Sequence, residues 1–224
     1  RGFTLIELLV VIAIIATLAA FALPALQSAL VRGQLAQALS NARQVYTAGF
    51  AMALDFDSTS DENLGWPGDL ATRTGTAAIT TVADYAKRLV EYDYLKPGDL
   101  KVFATTDIAP FTINGTTSDF NGSSHSGFKV YRTTSADSST ALFLATRNFA
   151  YGTEIAKGST TKPFGDRGFI VFRKGGDGSV LKRQQSAVNS LKIVGTLPGT
   201  SNFSATENSN STLTQNGSAT ISIN

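Results

Sequence analysis

Leu8-Leu-Val-Val-Ile-Ala-Ile-Ile-Ala-Thr-Leu-Ala-Ala-Phe-Ala-Leu-Pro-Ala-Leu26 contains no charged residue. At about 1.5 Å of rise per residue, a helix needs roughly 20 apolar residues to cross the hydrocarbon layer of a bilayer. The run meets that length. It also resembles the apolar region of a cleavable secretory signal, and Ala20-Phe21-Ala22 imitates a small-residue cleavage site. Two features oppose removal there. A signal's apolar region is usually only about 7–15 residues long, and the helical pattern does not stop where this run ends.

Past Pro24, the residues Val31, Leu35, Ala38 with Leu39, Ala42, Val45 with Tyr46, Gly49 and Ala53 recur at spacings of three and four. That spacing is one apolar face of a helix. Arg32, Gln34, Gln37, Asn41 and Arg43 fall on the other faces. One helix from about Thr4 to Leu54 is expected, apolar all round in its first half and amphipathic in its second. It would be about 75 Å long, so half of it must project beyond its own globular domain. Pro24 and Gly33 are the places where it can bend or lose hydrogen bonds.

The 224-residue chain is long enough for one domain with a core of ordinary size. Its 19 basic and 17 acidic residues leave a net charge of +2, so no nucleic-acid partner is expected, since that needs a concentrated basic face. There is no cysteine, which excludes disulfides and thiolate metal sites. The only Met is Met52 and the chain opens at Arg1, so Arg1 and Gly2 are read as the remnant of a basic leader.

Asp55 through Gly75 reads as a loop by composition, with a turn signal at Trp66-Pro67-Gly68. A second helix is expected from about Thr81 to Tyr94, interrupted at Asp93 and stopped by Lys96-Pro97-Gly98. Tyr85, Tyr92 and Tyr94 are expected to pack against the domain. Beyond Lys101 the signals are those of strands: Lys129–Arg132, Ala141–Thr146, Phe169–Arg173, and Ser179–Arg183 after a glycine turn at Gly175–Gly178. An antiparallel sheet packed on the second half of the long helix gives an α+β domain. From Gly199 to Asn224 the chain turns to Ser, Thr and Asn. Most of that tail is expected to be mobile, with Ile221–Asn224 a candidate edge strand.

Four places invite a chemical reading. Asp55, Asp57, Asp61 and Glu62 alternate like cation ligands, but the glycine of an EF-hand loop is missing, so a solvated acidic loop is expected. Gly175–Gly178 lacks the lysine and following helix of a phosphate loop. His125 is the only histidine and lies in a Ser/Gly loop. Asn114-Gly-Thr116 and Asn216-Gly-Ser218 are acceptor-like triplets expected by frequency in so polar a chain. No catalytic set emerges, and no cofactor or metal is expected.

Glu7 stands near the start of the apolar run, where an unpaired buried carboxylate costs about 2.5–3.5 kcal/mol on insertion scales. Either it snorkels to the headgroups and complements the positive end of the helix dipole, or a neighbouring subunit supplies the partner charge. Arg1-Gly2-Phe3-Thr4-Leu5-Ile6-Glu7-Leu8-Leu9-Val10 resembles the processing site of type IV pilins and type II secretion pseudopilins. The resemblance implies cleavage by a prepilin peptidase between Gly2 and Phe3, N-methylation of Phe3, Glu7 as the assembly glutamate and Pro24 as the helix-breaking proline. It implies a pilin-like fold: residues 1–2 as leader remnant, 3–30 as the transmembrane and filament-core helix, 31–198 as the globular α+β domain and 199–224 as a polar tail or edge strand.

The implied partners are copies of the chain itself in a homo- or hetero-polymer, the inner membrane, the peptidase, and other pilus or secretion-system assembly components. The implied mechanism has Glu7 pairing with the Phe3 amine of an adjacent subunit, and a globular domain held in the periplasm before assembly. Lack of cysteine departs from those pilins that close a C-terminal loop with a disulfide and leans toward a pseudopilin. Glu7 argues against the tip subunit that lacks it. The family's major pseudopilin carries a calcium site in its C-terminal region, and none of its ligands is carried over to residues of this chain. The competing class is a membrane-anchored or secreted carbohydrate- or surface-binding β domain, supported by the Ser/Thr/Asn-rich surface with scattered aromatics.

Overall fold

The computed structural model describes residues 2, 4–75, 78–106, 108–113, 120–121, 126–200, 207–208 and 210–213. It comprises two compact units, Arg1–Gln34 and Leu35–Asn224. The expected one-helix reading holds: α1 spans Leu5–Thr59. In its second half the predicted stripe is the buried one, from Val31 and Leu35 through Ala38, Ala42 and Val45 to Ala53. Met52, absent from the predicted stripe, is fully buried as well.

The helix runs five residues past its expected end, so the first part of the expected loop is helical. Ser58 and Thr59 donate their hydroxyls back to the Asp55 carbonyl at 2.9 and 2.7 Å, so both side chains are answered within the last turn. The turn signal at Pro67 instead starts a short helix, α2 (Pro67–Thr72). Proline is well placed at a first helical position, where its missing N–H has no intrahelical use. The next helix, α3 (Val82–Glu91), begins at a capping box: Asp84 N–H donates to Thr81 Oγ1 at 3.0 Å, and Thr81 N–H donates to Asp84 Oδ2 at 2.8 Å. Lys96-Pro97-Gly98 does not merely stop α3; Pro97 opens a 3₁₀ helix, Pro97–Phe103.

After a two-stranded pair, β1 (Thr112–Ile113) with β2 (Phe120–Asn121), the chain forms a four-stranded antiparallel meander. Its strands are β3 (Phe128–Val130), β4 (Leu142–Thr146), β5 (Phe169–Arg173) and β6 (Gly178–Leu181), in that order. The architecture is α+β and pilin-like, as expected. A short helix, α4 (Leu191–Val194), follows two 3₁₀ turns.

The sheet buries both faces. On one, Tyr46 of α1 packs on Phe172 and Phe143 with ring centroids 4.9 and 5.6 Å away, and Trp66 closes on Phe143 at 5.9 Å. On the other, Leu142, Ala145, Phe169, Val171 and Leu181 meet Leu191, Val194 and Leu197. A bulge between Leu142 and Leu144 lets β4 serve both. That second core was not anticipated from the sequence. Both helix-to-helix and helix-to-sheet contacts are close. A Cβ on Gly49 of α1 would collide with the Tyr85 hydroxyl of α3 and crowd Phe143, and one on Gly178 would meet Phe172 and Leu39.

Tyr85 is buried as expected, Tyr94 is half-buried and donates to Asp55 Oδ2 at 2.5 Å, but Tyr92 stays exposed beside Arg88. Part of the C-terminal segment also departs from expectation. Thr212 bridges to Tyr131 at the outer edge of β3, and Leu213 is fully buried. Ile221–Asn224 lies outside the described residues.

Candidate assembly segment

The first half of α1 carries the candidate site. Leu5, Ile6, Leu8, Leu9, Ile12, Ile15, Leu18, Phe21 and Leu26 are all more than half exposed. By length and composition the helix suffices to cross a membrane. Its two hydroxyls make no demand on a partner, because Thr17 donates to the Ile14 carbonyl and Ser28 to the Ala25 carbonyl, both at 2.8 Å. Both hydroxyls on the span are thereby answered inside the helix, which suits them to burial in hydrocarbon. The helix runs through Pro24 without interruption.

Glu7 is not a bare charge in the isolated subunit. Its Oε2 accepts from Thr4 N–H at 2.9 Å and from the Thr4 hydroxyl at 2.7 Å, while Glu7 N–H donates to Thr4 Oγ1 at 3.3 Å. This is a capping box, with Thr4 and Glu7 each satisfying a donor at the first turn. Thr4 is therefore a residue that the sequence reading missed. Its signal was visible, since Thr4-Leu5-Ile6-Glu7 is the Thr-x-x-Glu pattern ahead of an apolar run. Gly2 has no described atom within 4 Å of where a Cβ would stand, so packing within the subunit does not demand glycine there. Arg1 and Phe3 lie outside the described residues.

The other candidates go to structural uses or out of view. Asp61 Oδ1 accepts from Asn63 N–H and Nδ2 at 2.9 and 3.0 Å, and Asp55 takes the Tyr94 hydroxyl. Among the described residues no three His, Cys, Asp or Glu side chains converge as metal ligands. Gly175–Gly178 is the β5–β6 turn, where Gly176 adopts φ 89°. His125 and the Asn114 and Asn216 triplets are outside the described residues.

The prokaryotic N-terminal methylation motif model matches residues 1–23. A type IV major fimbrial protein, FimA, of Dichelobacter nodosus is 32% identical over 109 residues, which cover 47% of this chain and 70% of that protein. The chain belongs to the type IV pilin family. A second FimA from Dichelobacter nodosus is 42% identical over 66 residues, covering 30% of this pilin and 42% of the relative. The fimbrial protein EcpC of Eikenella corrodens is 44% identical over 78 residues, 35% of this pilin and 46% of the relative. No solved structure matches. This pilin is a structural fimbrial subunit and not an enzyme.

Proposed function

We propose that this pilin waits in the inner membrane through residues 3–30, with its globular domain (31–198) and polar tail (199–224) in the periplasm. There a prepilin peptidase cuts between Gly2 and Phe3 and the new Phe3 amine is methylated. The observation that carries the reading is the first half of α1, apolar all round and exposed in the subunit. Lipid covers such a surface before assembly, and copies of the same helix cover it in the filament. The steric freedom at Gly2 supports a glycine required by the processing enzyme rather than by the fold. The fimbrial relatives support a pilus over a secretion pseudopilus, against the lean given by the missing cysteines.

In the filament, Glu7 exchanges its own Thr4 for the Phe3 amine of an adjacent subunit, and this fixes the axial register. An ammonium–carboxylate contact carries charge on both partners, whereas the Thr4 bonds it replaces carry charge only on the carboxylate, and an amine left unpartnered in the filament core is costly. A break of the helix on assembly is proposed at Pro24, where proline leaves the Ala20 carbonyl without its helical donor. The test is Glu7→Ala, followed by mass spectrometry of the mature N-terminus and by filament shearing and pelleting. Membrane insertion and cleavage should persist while pelletable filament is lost. Wild-type filament yield from this variant would overturn the register role. A mature N-terminus at Leu23 rather than Phe3 would overturn the whole reading.

A further inference from the structure

Toward the far end of the chain, a second carboxylate is part-buried where the filament reading makes no use of it. Glu207 is 11% exposed at its side chain and pairs with Lys129, itself 16% exposed, at 2.6 Å between Nζ and Oε1. Its other oxygen accepts from the Tyr131 hydroxyl at 2.8 Å and from Tyr151 N–H at 2.9 Å. Glu207 N–H in turn donates to the Tyr151 carbonyl at 3.0 Å. Lys129 and Tyr131 are two residues apart along β3 and its continuation, so they present to one face and close on the carboxylate from the same side. Burial first, and the charge of Glu207 second, push the Tyr131 phenol well above its ordinary value. It therefore stays a donor.

Just beyond Glu207 the chain turns and runs along the free edge of the sheet. Ser211 N–H donates to the Asn208 carbonyl at 3.0 Å, Arg132 N–H donates to the Ser211 carbonyl at 3.0 Å, and Leu213 N–H donates to the Val130 carbonyl at 2.9 Å. Leu213 is fully buried. β3 is the terminal strand of the meander, and an uncovered edge strand offers its backbone to other chains. The segment that covers it is short, polar apart from Leu213, and tied to the sheet by no disulfide, since the chain has no cysteine.

We infer that residues 207–208 and 210–213 form a latched strap that closes the outer edge of β3, with Glu207 as its ionic latch and Leu213 as its apolar peg. The strap opens as a local unit, without unfolding β4 and β5. A buried pair that loses one member leaves the other charge uncompensated, so removing the latch destabilises the closed strap far more than it alters the remainder of the sheet.

Hydrogen exchange followed by mass spectrometry, on the full chain in detergent, tests this. In Glu207→Gln, exchange in peptides covering 129–133 and 207–213 should quicken by at least about ten-fold, while peptides covering 142–146 and 169–173 keep wild-type rates. Equal acceleration in all four peptides would make Glu207 an ordinary core group. No acceleration in any would remove the latch. Lys129→Gln keeps the tyrosine and amide contacts and should loosen the same two peptides by a smaller factor. If Glu207→Gln fails to fold, wild-type rates in Lys129→Gln overturn the inference.

Discussion

The two halves of α1 belong to one unbroken helix and put their apolar side chains to opposite uses. In the second half, Val45 and Met52 are fully buried in the subunit; in the first, Leu18 and Phe21 are 66% and 84% exposed. Hydrophobicity alone does not separate them. Periodicity does, because an apolar stripe with polar flanks has a preferred face for its own domain, and a segment apolar all round has none. The first half is therefore matched to surroundings that are apolar on every side, which a bilayer and a bundle of like helices both provide.

That contrast can be broken most forcefully at the sheet. Phe172→Ala removes a fully buried ring that Tyr46 packs on, and should lower unfolding stability by about 3–5 kcal/mol in chemical denaturation of the detergent-solubilised chain. Gly49→Val should cost about 1–3 kcal/mol by overpacking, because the Tyr85 hydroxyl occupies the place of the new side chain. Tyr85→Phe should recover part of that loss. Alone it should be close to neutral, since the hydroxyl is buried with no hydrogen-bond partner among the described residues.

Alkaline titration should probe the buried domain in another way. Burial raises the phenols of Tyr85 and Tyr131, and pushes Tyr151 up to about 12. Their folded values exceed the unfolded one of about 10, so the stability is intact below that pH and falls as pH rises through the folded values. The slope should be roughly 1.4 kcal/mol per pH unit for each of Tyr85 and Tyr131, and Tyr85→Phe should flatten it in a denaturation series. The smallest effect belongs to the exposed half. Ile15→Ala should leave subunit stability unchanged within about 0.5 kcal/mol, while reducing filament yield in a pelleting assay. A large stability loss there would mean that the subunit itself packs on this segment.

The long helix was legible because its signals repeat. About six turns in succession, from Val31 to Ala53, agreed on a face, whereas α2 rests on the single proline at 67, which marks a turn and a helix start equally well. The far-face core was present as a signal that the reading did not use. Leu142–Thr146 and Phe169–Phe172 are nearly continuous apolar runs, and strands without alternation are covered on both sides. Glu207 was not readable at all, since its partners Lys129 and Tyr131 lie more than 70 residues earlier and nothing local distinguishes one acid in a polar tail. At the candidate assembly segment, Glu7 lies on the first turn of α1, but the contact that Glu7 makes within the subunit came from Thr4.

That contact bears on how freely a pilin could come and go. On the proposed reading, with a hydroxyl and an amide of its own chain already seated on the carboxylate, joining a polymer would be a change of companions, and leaving it would return the acid to a resident one. Neither step would then require a naked anion in oil.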